Sequence, residues 1–83
     1  MRGDDRTGFV VVQLSVARMA LSYGDLATAR KALRGLRTTD FFGGARVAES
    51  HLAVVRDHRS SDDEIRDAIA VLVNLRPVGI GAA

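Results

Sequence analysis

In DLATARKALRGLR, residues 25 to 37, the apolar residues Leu26, Ala29, Leu33 and Leu36 stand at intervals of three, four and three. That spacing lines one face of an α-helix and suits no extended strand. It is the firmest constraint in the chain. Asp25 directly precedes the first apolar position and is placed to cap the helix N-terminus, while Arg34 and Arg37 near the other end complement the helix dipole. Gly35 inside the run costs about 1 kcal/mol relative to Ala and permits close approach of another helix.

Two further runs carry the same period. ARVAESHLAVVRDH places Ala45, Ala48, Leu52 and Val55 on one stripe, with Val47, His51, Val54 and His58 on the next. In SSDDEIRDAIAVLVNL, Ile65, Ala68, Ile69, Leu72 and Leu75 form a face, and Ser61 followed by Glu64 has capping-box spacing. Pro77 closes this helix. The first run, FVVVQLSVARMALSY, is read as a helix from about residue 8 to 23, entered through Thr7 as N-cap, although Phe9 to Val12 are also good strand formers. Ser15, Arg18 and Ser22 mark its one polar stripe. A helix so apolar is either central in a bundle or lends a second face to another chain. The breaks at Gly24-Asp25, Gly43-Gly44 and Ser60-Ser61 are short, so the expected fold is all-α, either a four-helix antiparallel bundle or two stacked helical hairpins. The expected organisation is a polar arm over residues 1–7, a single helical domain over 8–76 and a flexible tail over 77–83.

An 83-residue chain forms one domain with a thin core, burying roughly 60 to 65% of its unfolded surface. Yet 47% of its residues are hydrophobic, more than such a core absorbs, which favours self-association or a partner. The net charge of +2 is a weak argument for nucleic acid. Without cysteine there is neither a disulfide nor a thiolate metal site. Asp4 and Asp5 offset the early arginines, and Gln13, Ser15 and Arg18 interrupt the apolar run, so neither a signal peptide nor a membrane span is read there. A cytoplasmic location is the default.

The order Gly24, Asp25, Leu26, Ala29, Leu33, with Ala17 seven residues before the glycine, resembles the turn and second helix of a tetratricopeptide-type repeat. A poorer copy follows, with Ile65 in place of Ala29, Ile69 in place of Leu33, and Pro77 in place of the proline that closes the repeat. The resemblance spans residues 17–77. It departs from the family at Ile65, where a small residue is usual, at Ala20, where an aromatic is usual, and near Ser60, where the turn glycine is missing. What it implies is a peptide- or protein-binding module and no enzyme.

Candidate chemistry is sparse. Arg30, Arg34 and Arg37, with Lys31 alongside, form a basic ridge that could meet phosphates or an acidic partner. No aromatic interleaves with it, and Gln13 and Asn74 are the only side-chain amides. His51 and His58 lie about 10.5 Å apart along a helix, too far for one metal ion. Asp62, Asp63, Glu64 and Asp67 crowd a helix start, where they serve capping, or pair with the basic ridge. Ser50 and His51, as neighbours in a helix, are expected to point to different sides. No metal, no cofactor and no catalytic group is therefore assigned. Phe41 and Phe42 precede Gly43-Gly44, where they either plug the core or anchor a partner.

The functional expectation is a small protein-interaction or adaptor module that self-associates. Its expected contacts are Val10, Val11, Val12, Phe41 and Phe42 for affinity, with Arg30, Arg34 and Arg37 for orientation. A nucleic-acid-associated protein using the same arginines is the alternative.

Overall fold

The computed structural model describes residues 2–42 and 45–78, and the backbone alone for residues 2–5 and Ala45. Four helices follow one another: α1, Arg2–Ser22; α2, Leu26–Arg34; α3, Ala45–Arg56; and α4, Asp62–Leu72. A 3-10 turn, Thr38–Asp40, joins α2 to the second half. The helices pack as two hairpin pairs, α1 on α2 and α3 on α4. The least molecular dimension is 18 Å, room for two layers of helices.

The opening glycine of the first hairpin has a local cause. Gly24 sits at φ +77°, a left-handed conformation that costs an L-residue with a Cβ about 1–2 kcal/mol. There the Asp25 N–H bonds back to the Ala20 carbonyl at 2.8 Å and the Gly24 N–H to the Leu21 carbonyl at 3.0 Å. These are the paired bonds that close a helix through a glycine. Asp25 then starts α2, accepting from the Thr28 amide at 3.1 Å and from its hydroxyl at 2.7 Å. Three residues thus end one helix and begin the next. The capping box of α4 forms as its spacing predicts, with the Ser61 hydroxyl accepting from the Glu64 amide and the Glu64 carboxylate from the Ser61 amide.

The core is built mainly from small and branched residues. Ala17 of α1 and Ala29 of α2 are both wholly buried, which lets the first hairpin close tightly, and Leu33, Leu36, Leu52, Val55, Ile69 and Leu72 fill the space between the hairpins. At the level of elements, arginines lock this packing by reaching the carbonyls left open at helix ends. Arg6 of α1 donates to Gly35 O at 3.1 Å and Arg56 of α3 to Leu36 O, closing the end of α2. Arg30 of α2 donates to Val55 O and Asp57 O, at 2.7 and 2.8 Å, closing α3. Arg18 of α1 reaches Val73 O at the end of α4.

Three expectations are corrected. Helix α1 starts at Arg2, so residues 2–7 are helical and Thr7 is no cap. The cause is tertiary: Arg6 is held by Asp40, and the Thr7 hydroxyl donates to Val78 O at 3.3 Å. Helix α2 ends at Arg34, and Gly35 is its C-cap rather than an interior residue. A Cβ built at Gly35 would meet only the Phe9 ring, at 3.8 Å, an ordinary contact. Pro77 and Val78 are part of the fold: Phe42 N–H bonds Arg76 O and Val78 N–H bonds Asp40 O, both at 2.8 Å, around a bridge between Phe41 and Pro77. The remainder of the expected tail, residues 79–83, lies outside the described residues. Residues 9–12, read as helix although they are good strand formers, are helix.

Candidate interaction surface

Consecutive residues of a helix point about 100° apart, so the valine run of α1 cannot act as one surface. Val10 is 2% exposed and belongs to the core with Leu14, Ala17 and Ala20. Its assignment as a partner contact is withdrawn. Val11 is half-exposed, beside a shallow groove shared with Leu14, Arg18, Val73 and Pro77. Val12 is 55% exposed and lies on the outer face.

What the outer face presents is a stripe that the valine run concealed. Phe9, Val12, Val16, Met19 and Tyr23 are each between 40 and 81% exposed. They stand at intervals of three, four, three and four, so they align along one side of α1. Val10, Leu14, Ala17 and Leu21, at intervals of four, three and four, align on the inner side. Helix α1 is therefore apolar on two faces. The spacing of the outer residues was the signal that could have found them; reading the neighbouring valines as a block hid it.

Phe9 is held in place rather than free. The Arg6 guanidinium stacks over its ring, 5.0 Å from the centroid. The ring also borders a groove of 340 Å³ between α1 and α2, to which Gln13, Val16, Lys31 and Gly35 contribute.

Arg6 is fixed in turn by Asp40, the one buried charged residue among those described. Its Nε and Nη2 donate to the two carboxylate oxygens at 3.0 and 2.6 Å, and the Arg37 amide donates to Oδ2 at 2.7 Å. Burial pushes the Asp40 carboxyl up, but the hydrogen bonds from Arg6 and the Arg37 backbone, with the charge of both arginines, outweigh burial and hold it below its ordinary value. The same hydrogen bond raises Arg6.

Phe41 and Phe42 divide the two roles proposed for them. The backbone at Phe41 is extended, φ −110° and ψ 128°, so neighbouring side chains point to opposite sides. Phe41 is in the core at 3% exposure and is withdrawn as a contact; Phe42 is 62% exposed. The basic ridge is also broken up. Arg30 turns to the end of α3 and is withdrawn from the free surface, while Arg34 and Arg37 remain exposed.

The acidic start of α4 does not meet the arginines of α2: the ion pairs among the described residues are Arg6 with Asp40, Arg59 with Asp57, and Arg66 with Asp63. Ser50 and His51 lie closer than expected, with Oγ 3.3 Å from Nδ1, because both turn back to the Val47 carbonyl. At 2.7 Å from that carbonyl, Nδ1 carries the proton and donates it, so it has no lone pair with which to activate the serine. No three metal-ligating side chains converge among the described residues. No helix there is long and apolar enough to cross a membrane.

Comparison with protein-family models, with curated proteins and with solved structures gives no match.

Proposed function

We propose that this chain is a small helical protein-interaction module whose contact surface is the outer face of α1. One observation carries the reading: five large apolar side chains, Phe9 to Tyr23, stand in a single exposed stripe on a helix whose opposite face already supplies the core. A patch of this size on so small a domain costs solubility unless something covers it. Its burial supplies affinity, and Phe9, already ordered by Arg6, loses little freedom on binding. Phe42, outside the stripe, is a third exposed aromatic after Phe9 and Tyr23 and is suited to filling a pocket. Lys31 at the edge of the α1–α2 groove, with exposed Arg34 and Arg37, supplies charge for orientation.

The resemblance to tetratricopeptide-type hairpins points the same way, since that family binds peptides and proteins. The nucleic-acid alternative loses support from geometry, because Arg30 is committed to the α3 end.

A photo-crosslinking amino acid at Met19 tests the proposal, with the same group at Glu49, an exposed site on α3, as control. Covalent adducts, with a second copy of the chain or with another protein in cell extract, are expected from position 19 and not from position 49. Equal labelling from both positions, or none from 19, would refute the reading.

A further inference from the structure

We infer that the outer stripe of α1 is the seam of a symmetric homodimer, in which it packs antiparallel against α1 of a second copy. The inference rests on the interaction reading above and names its partner.

The intervals of three, four, three and four average 3.5 residues, the repeat of two helices that wind around each other with their apolar residues interleaved. Phe9, Val16 and Tyr23 occupy one set of equivalent positions, Val12 and Met19 the other, over about 21 Å of helix. The flanking positions are uncharged: Gly8, Ser15 and Ser22 on one side and Gln13 on the other. Along these flanks two copies therefore meet without opposing like charges, and the charges nearest the seam are Arg6 over Phe9, Lys31 of α2 beside Phe9 and Val16, and Arg18 beside Met19 and Tyr23.

Gly8 adds a separate point. Inside a helix it costs about 0.5–1 kcal/mol relative to Ala, and a Cβ placed there meets nothing within 4 Å of its own chain. Together with Ser15 and Ser22, at seven-residue intervals, it leaves one flank of the seam low enough for a second backbone to come close. The exposed parts of the four side chains that antiparallel pairing matches, Phe9, Val12, Val16 and Met19, amount to the order of 400 Å² per copy, about half the roughly 800 Å² per partner of a standard interface, the area of a weak dimer.

Antiparallel pairing follows from the residues at the ends. It sets Phe9 against Met19 of the second copy, an aromatic–sulfur contact, and Val12 against Val16 at the centre. Parallel pairing would instead bring together both Arg6 side chains and both positive helix ends.

Sedimentation equilibrium from about 1 to 200 µM, spanning the affinities usual for small interfaces, tests the seam. The 8.9 kDa chain is expected to reach twice its mass. Met19→Lys is expected to weaken dimerisation at least about 30-fold with its helical circular dichroism unchanged. Val47→Lys, at an exposed site on α3, is expected to leave dimerisation alone. A wild-type chain that stays monomeric throughout would overturn the inference, as would a dimer indifferent to Met19→Lys. A monomer that still yields adducts with other proteins from position 19 would remove the second copy and leave the interaction reading standing; a monomer with no adducts would remove both.

Because the chain has no cysteine, single cysteines read the orientation independently, even if Met19→Lys fails to fold. Mixed Val12→Cys and Val16→Cys chains are expected to form the 12–16 disulfide in preference to either like pair. Predominant 16–16 crosslinking would overturn the antiparallel arrangement.

Discussion

Asp40 shows how a single side chain ties distant parts of this chain together. Its carboxylate is 7% exposed and takes three hydrogen bonds, two of them from a residue 34 positions earlier. Because its folded value lies below the unfolded one of about 3.9, the unfolded chain binds the proton more readily. The stability this group contributes is complete above about pH 5 and drains away as pH falls through the folded value. Asp40→Asn is expected to cost roughly 1–3 kcal/mol at pH 7, discounted because Arg6 is a third exposed. It should also flatten the loss of stability below pH 4. Urea unfolding of both chains at pH 7 and pH 3 checks both parts: equal acid sensitivity would show that Asp40 is not the titrating group. Two glycines make an opposite pair. Gly24→Ala meets no atom but must hold φ +77°, and is expected to cost about 1 kcal/mol. Gly35→Ala, at φ −83° with ordinary contact to Phe9, should be neutral or stabilise by about 0.4–1 kcal/mol. Thermal denaturation of the two variants separates them by sign.

At the scale of elements, the arginines decide what local pattern could not. Arg30 and Arg34 are one turn apart on α2 and look alike in sequence, yet only Arg30 closes the end of α3. Arg30→Met keeps the apolar stem and removes two hydrogen bonds to carbonyls, for an expected loss of about 1–2 kcal/mol. Arg34→Met on the exposed face should stay within about 0.5 kcal/mol of wild type. Chemical denaturation midpoints of the two variants, at equal slope, test the distinction; equal losses would contradict it. The contrast also explains what was legible beforehand. Helices α2, α3 and α4 were readable because each has one apolar face and the starts of α2 and α4 carry local caps at Asp25 and Ser61. The start of α1 was not, since Gly3, Gly8 and the polar residues between argue locally against helix. What holds that segment comes from Asp40 and Val78, 34 and 71 residues away from their partners. The outer stripe of α1 was written in the spacing of Phe9, Val12, Val16, Met19 and Tyr23 but masked, because a helix apolar on both sides shows no preferred face.

For the molecule as a whole, chain closure sets the limit on stability. The start of α1, the turn before Phe41 and the segment Arg76 to Val78 converge on Asp40: its side chain takes Arg6 and its carbonyl takes the Val78 amide. Phe41, at 3% exposure, is paired through its backbone with Pro77. The two hairpins are thus joined at one end by backbone pairing of the kind found in a sheet, although the rest of the fold is helical. A chain ending at Val78 and a chain ending at Arg76 isolate this closure, because they differ only in Pro77 and Val78. The shorter one loses the Val78 bond to Asp40 and the Thr7 bond to Val78, and it uncovers part of Phe41. Two exposed or part-exposed hydrogen bonds at about 0.5–1.5 kcal/mol each, with the apolar surface of one partly uncovered aromatic, give an expected loss of about 2–3 kcal/mol. For a domain of this size that is a fall in Tm of roughly 10–20 °C. Because α1 is anchored through Thr7, hydrogen exchange should also quicken at its first turns in the shorter chain while α3 keeps its protection. Equal melting temperatures for the two chains would mean that the hairpins hold together through their apolar core alone.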